Sequence, residues 1–254
     1  MATTQHYLWA SGHFILLLSS LRYFLATVMF RGVSTWWYKA SFLGALVSYA
    51  IVCQKSLQQA PLGPPVTWVK RFQHAAADEN VQYFMLAFFW WSMKPITIAL
   101  VPYTVFSLFH ALTFTRTNLM PRFLPPGPPP TAGAAPTPHP LAKTLHAWVK
   151  ANYDTAMKVV AFTELVIMVR VTVGAVTFQN SLLSPVIYAH FLRARYYQSK
   201  FTQNAVAVVT ARVDGYVGRP GTHPQIVNVW TKVKLLVERW VGSVLEQQPA
   251  PGRR

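Results

Sequence analysis

Four polar side chains stand inside apolar runs where polarity is expensive: Arg22, His110, Glu164 and Arg170. An ionised group at mid-bilayer costs about 2.5–3.5 kcal/mol on insertion scales, so such residues line a polar path, find a partner, or reach an interface. An ion or substrate path needs a relay of Asp, Glu or His at one depth, and the sequence holds no such chain. A transporter or membrane enzyme would have to gather Arg22, Glu164 and Arg170 around one cavity. Glu164 and Arg170 lie on different faces of one helical run and cannot pair directly. The structural solution is the expectation: interfacial placement, snorkelling, or pairing between segments, for instance Glu164 with Arg22. His110, in Ser107-Leu108-Phe109-His110-Ala111-Leu112, is read as a buried contact between helices.

The other groups capable of chemistry are scattered. The eight histidines show no metal-ligand spacing, and there is no glycine-rich phosphate loop or nucleophile elbow. The single cysteine, Cys53, excludes an intrachain disulfide and lies in an apolar run, where an inert buried thiol is expected. The sequence therefore predicts no catalytic residue, no metal and no cofactor.

Composition narrows the class. Hydrophobic residues make up 52% and charged residues 12% of the 254, and that charged share is too small to cover a water-facing surface. The charges are lopsided, 23 Lys and Arg against 7 Asp and Glu. Such an excess suits an anionic partner, and the continuous apolar sequence points to an anionic membrane leaflet rather than nucleic acid. The first residues lack the Lys or Arg of a secretory signal, and no cleavage site follows the run Phe14–Leu21, so this segment is expected to be retained.

These residues must be positioned by six apolar segments in three close pairs. The pairs are Leu8–Phe30 with Thr35–Cys53, Val81–Met93 with Pro95–Phe114, and Ala156–Phe178 with Leu182–Leu192. Short turns within each pair predict helical hairpins over 8–53, 81–114 and 156–192, with longer polar stretches at 54–80 and 115–155. A helix needs about 20 residues to cross about 30 Å of hydrocarbon. Val81–Met93 and Leu182–Leu192 are too short for that, so these hairpins are expected to be partly re-entrant and to enter from one side. Lys55, Lys70, Arg71, Arg116, Arg122, Lys143 and Lys150 fall on the two long connections, against Arg31, Lys39 and Lys94 near the opposite turns. This bias places both termini, the connections and the tail in the cytosol. The stretch 121–140, PRFLPPGPPPTAGAAPTPHP, reads as an extended cytosolic linker, because proline cannot continue a helix. The predicted class is an all-α membrane protein, with a membrane domain over 1–192 and a basic tail over 193–254.

The tail carries its own pattern. Ile226, Trp230, Val233, Val237, Trp240, Val241 and Val244 recur at helical spacing and form one stripe. Two tryptophans on an apolar face with basic neighbours predict an interfacial membrane helix. Lys232, Lys234 and Arg239 are the candidate contacts for anionic lipid, each worth about 1 kcal/mol near such a surface. The competing reading is packing of two tail helices on each other or on the hairpins. A weaker stripe, Phe201, Ala205, Val209 and Tyr216, precedes the first one.

Three passages resemble a known family in order and spacing. They are Tyr83–Met93 with Lys94-Pro95-Ile96-Thr97 and Val105–Thr113, Lys158–Glu164 ahead of an apolar run, and Ser181–Tyr188 with Phe191–Tyr196. Together they resemble the transmembrane protein 33 family, also called Krüppel homologue 2-like, in its fungal pore-membrane nucleoporin form. The resemblance implies a non-catalytic protein of the endoplasmic reticulum and nuclear envelope with a role in nuclear pore assembly or distribution. It also implies other nucleoporins, reticulon-type curvature proteins and an importin-β class karyopherin as partners, the last contacted through Lys232, Lys234 and Arg239. A general scaffold of the reticulum would share these features and differ only in location.

Overall fold

The computed structural model describes residues 3–59, 67–128 and 137–242, and all their regular elements are helical apart from a single bridge between Gly127 and Thr137. The chain divides into two compact units, Met1–Gln198 and Ser199–Arg254.

The first unit opens with α1, Thr4–Val28, and α2, Thr35–Gln59. The sequence lets them approach closely because small residues meet at the crossing. A Cβ on Gly44 would fall 2.5 Å from the Gly12 carbonyl oxygen and 2.8 Å from the Leu16 nitrogen. The Ser48 hydroxyl donates to the Trp9 carbonyl at 2.8 Å. Small residues are what allow apolar helices to associate in lipid, where packing rather than hydrophobic exclusion holds them.

Residues 54–80, read as a polar connection, contain the end of α2 and a further helix, α3, Trp68–Ala77. Asp78 separates α3 from α4, Glu79–Ser92, and caps it, accepting from the Asn80 and Val81 N–H groups at 2.8 and 3.1 Å. Partial burial alone would raise the Asp78 carboxyl. The Ser56 hydroxyl and the two backbone N–H donors outweigh that and hold it below its usual range. Pro95 bars helical backbone at Lys94, so the next helix starts with a tight turn at Thr97–Ala99 rather than at Pro95. There follow α5, Leu100–Phe114, a π-helical turn, Thr115–Leu119, and α6, Met120–Phe123.

Residues 129–136 of the predicted linker lie outside the described residues, but its flanks meet. The Gly127 N–H donates to the Thr137 carbonyl at 2.8 Å, and the Thr137 hydroxyl to the Pro128 carbonyl at 3.0 Å. The long helix α7 spans Pro140–Val176 and so begins well before the apolar run at Ala156. Its start is set by a proline in the first turn and by His139 Nδ1, which accepts the Leu141 N–H at 3.1 Å. Leaving an apolar run does not end a helix when the preceding residues are good helix formers. A tight turn then leads to α8, Leu183–Gln198.

Four stretches are long and apolar enough to cross a membrane: Thr4–Val28, Thr35–Gln58, Thr97–Phe123 and Pro140–Val176. With 14 and 16 residues, α4 and α8 reach about 21 and 24 Å, short of about 30 Å of hydrocarbon. The protein is an all-α membrane protein. The core binding α2, α4, α5 and α8 is aromatic: Tyr83 stands edge-on to Tyr103 at 5.7 Å and to Phe191 at 5.0 Å, and stacks on Tyr49 at 5.8 Å.

The second unit contains α9, Lys200–Val217, and α10, Pro224–Gly242. The break between them includes Gly221 at φ 91°, a conformation that glycine adopts without strain.

Candidate membrane interface

Glu164 is fully buried on α7, and its partner is not Arg22. Its Oε1 accepts the Tyr83 hydroxyl at 2.7 Å, and the Arg195 guanidinium stands 3.4 Å away. Arg195 also pairs with Glu79 at 2.5 Å and lies over the Tyr83 ring. The Tyr103 hydroxyl donates to the Tyr83 carbonyl at 2.9 Å and extends the network to α5. One cluster thus joins α4, α5, α7 and α8. The pairing expected with Arg22 does not form; Arg195, from the basic run after Leu192, takes its place. A helical signal was present: Tyr188, Phe191 and Arg195 share one face, and all three are buried.

The two remaining arginines lie elsewhere. Arg22 is exposed two turns before the end of α1. Arg170 donates to Gln179 at 3.2 Å in the turn after α7. Each stands about two turns from a helix end, close enough for a long side chain to extend towards it. Glu164, Arg22 and Arg170 do not line one cavity. His110 is exposed, and the buried histidine is its neighbour His13, 2% exposed, with ring centroids 4.7 Å apart. His13 Nδ1 is 2.9 Å from the Ser107 hydroxyl, so the polar contact between α1 and α5 belongs to His13. No group of three or more His, Cys, Asp or Glu among the described residues is placed to hold a metal ion.

The second unit presents the apolar tail stripe. Asp214 of α9 accepts the Trp230 indole N–H at 2.6 Å and the Lys234 ammonium at 2.7 Å. The Lys234 bond, then the Trp230 bond, hold the Asp214 carboxyl below its usual range. Trp230 and Lys234 are therefore the edge by which α10 leans on α9. Ile226, Val233 and Val237 stay exposed, and Val229 and Leu236, absent from the predicted stripe, are exposed at 61% and 66%. The apolar face is wider than the strict spacing suggested, since residues one step off the stripe border it. Lys232 and Arg239 stand exposed along one edge of this face, a turn either side of Leu236, and Trp240 is partly buried. The Val241 side chain and Val244 lie outside the described residues. Geometrically, α10 offers an exposed apolar strip bordered on one edge by the cations Lys232 and Arg239.

No solved structure matches the chain. Nucleoporin POM33 of Chaetomium thermophilum is 35% identical over 246 residues, covering 92% of this chain and 85% of that protein. Tetra-spanning protein 1 of Schizosaccharomyces pombe is 33% identical, covering 93% and 84%. Pore membrane protein of 33 kDa of Saccharomyces cerevisiae is 25% identical, covering 94% and 84%. The family model described as Transmembrane protein 33/Nucleoporin POM33 matches residues 1–242. With its helices, their breaks and its polar cluster all inside that match, the chain belongs to the Transmembrane protein 33/Nucleoporin POM33 family.

Proposed function

We propose that this is a non-enzymatic protein of the endoplasmic reticulum and nuclear envelope, which supports nuclear pore assembly or distribution by stabilising curved membrane. The observation that carries this reading is the exposed strip Ile226, Val229, Val233, Leu236 and Val237 on a helix with Lys232 and Arg239 along its edge. Such a face gains most where lipid packing is loose, as on bent membrane. The short helices α4 and α8 add to one leaflet more than to the other. The termini face the cytosol, anionic lipid is the first partner of the tail, and pore components, reticulon-type proteins and an importin-β class karyopherin are the protein partners. Because Lys234 is held by Asp214, Lys232 and Arg239 carry the charged contact.

The test is location at native expression. The tagged chain is expected as puncta on the nuclear rim. Val229→Asp with Leu236→Asp removes the apolar strip without touching the Asp214 contacts. Burying each side chain is worth about 1.5–3 kcal/mol, so the pair shifts surface binding by at least about a hundredfold. The variant should spread through the reticulum. An unchanged punctate rim in this variant, or an evenly reticular wild type, contradicts the proposal.

A further inference from the structure

The helix α3 has no hydrophobic reading in the sequence around it, yet it is the most cleanly divided surface in the molecule. Around its axis Trp68, Phe72, Ala75 and Ala76 fall together, with Val69 and Arg71 at their two borders, while Lys70, Gln73 and His74 fall on the other side. None of its residues is buried: Trp68 is 79% and Phe72 70% exposed. A ten-residue helix is marginal in water by itself. Thr67 gives no side-chain cap to its start. Something must cover the Trp68–Phe72 face.

Position and charge identify the cover. Upstream, α2 is one of the four membrane-length helices. The end of α3 is tied to the first unit at the level where α2 leaves the apolar layer. The Ser56 hydroxyl of α2 donates to Asp78, and the Gln82 and Gln198 amides donate to the Ala76 and Ala77 carbonyls, both at 2.9 Å. Glu79 and Arg195 pair in the adjoining turn. A helix fixed at this charged layer lies at headgroup depth. No acidic residue occurs from Gln54 to Ala77, while Lys55, Lys70 and Arg71 do.

We infer that α3 is a second membrane-binding element, which lies in the headgroup plane between the first two hairpins, with Trp68 and Phe72 in the lipid and Lys70 and Arg71 on anionic phospholipid headgroups. This requires the chain to sit in a bilayer but is independent of any role at the pore. It adds area to the leaflet from which α2 emerges and fixes the depth of that end of the hairpins.

The test uses the full chain with Cys53→Ser in vesicles of phosphatidylcholine, with or without phosphatidylserine. Nitroxide labels are placed singly through Trp68→Cys, Phe72→Cys and Ala75→Cys, and through Lys70→Cys, Gln73→Cys and His74→Cys. Oxygen collision, which reports lipid, should peak at 68, 72 and 75 in anionic vesicles, while a water-soluble nickel chelate should reach 70, 73 and 74. Lys70→Gln with Arg71→Gln should lower the ratio of membrane-bound to free helix about thirtyfold, as should omission of phosphatidylserine in direction. Nickel access at all six positions overturns the inference. Exclusion of both probes at 68 and 72 also overturns it, because it would mean a protein covers the face. Peaks of equal height with and without anionic lipid overturn the headgroup contact.

Discussion

Replacing Arg195 with alanine is expected to lower stability by about 3–5 kcal/mol, the usual cost of stranding one member of a buried ion pair. Glu164 is fully buried, so without Arg195 its carboxylate keeps the Tyr83 hydroxyl but no cation. Glu79 loses its 2.5 Å partner as well, though its side chain is 47% exposed and can be hydrated. Most of the loss therefore traces to Glu164. Glu164→Gln in the Arg195→Ala background removes the stranded charge while keeping an acceptor for Tyr83, and should recover about half of the loss. Thermal unfolding in detergent checks both. If Arg195→Ala changes stability no more than an exposed substitution such as Arg212→Ala, within about 0.5 kcal/mol, the cluster does not hold α4, α7 and α8 together.

The second large effect is steric. Gly44→Ala should cost about 1–3 kcal/mol, the usual penalty of overpacking, and Gly44→Leu more. The added Cβ meets backbone, the Gly12 carbonyl at 2.5 Å and the Leu16 nitrogen at 2.8 Å, and neither can rotate away. The helices must separate, which also stretches the Ser48 to Trp9 bond. Gly215→Ala is the control. It sits in α9 with nothing within 4 Å of the new Cβ, so it should gain up to about 1 kcal/mol from helix propensity. Equal responses of Gly44→Ala and Gly215→Ala in thermal unfolding would mean that α1 and α2 do not cross in contact at this point.

Much of the fold can be read in the apolar runs, because crossing lipid forces long uninterrupted helices and the turns between them are punctuated by residues such as Gly32, Pro95 and Asn180. What escaped has a shared cause: hydropathy records where lipid is, not where helices end. Polar helix formers carry α7 back to Pro140, and a helix lying along the surface, such as α3, never makes an apolar run. The same blindness hid Arg195, which is polar by type and buried by position. On α10 the stripe was legible, but the share of it that faces α9 was not. That share depends on Asp214, a residue in a different helix whose reach to Trp230 and Lys234 no spacing rule encodes.

The proposed function requires the protein to favour bent membrane over flat. The direct measurement pulls a narrow tube from a giant vesicle holding the labelled, reconstituted chain and compares protein density on tube and vesicle. Enrichment on the tube that rises as it narrows, and falls in Val229→Asp with Leu236→Asp, is the predicted result. Equal density on tube and vesicle at every radius would contradict it.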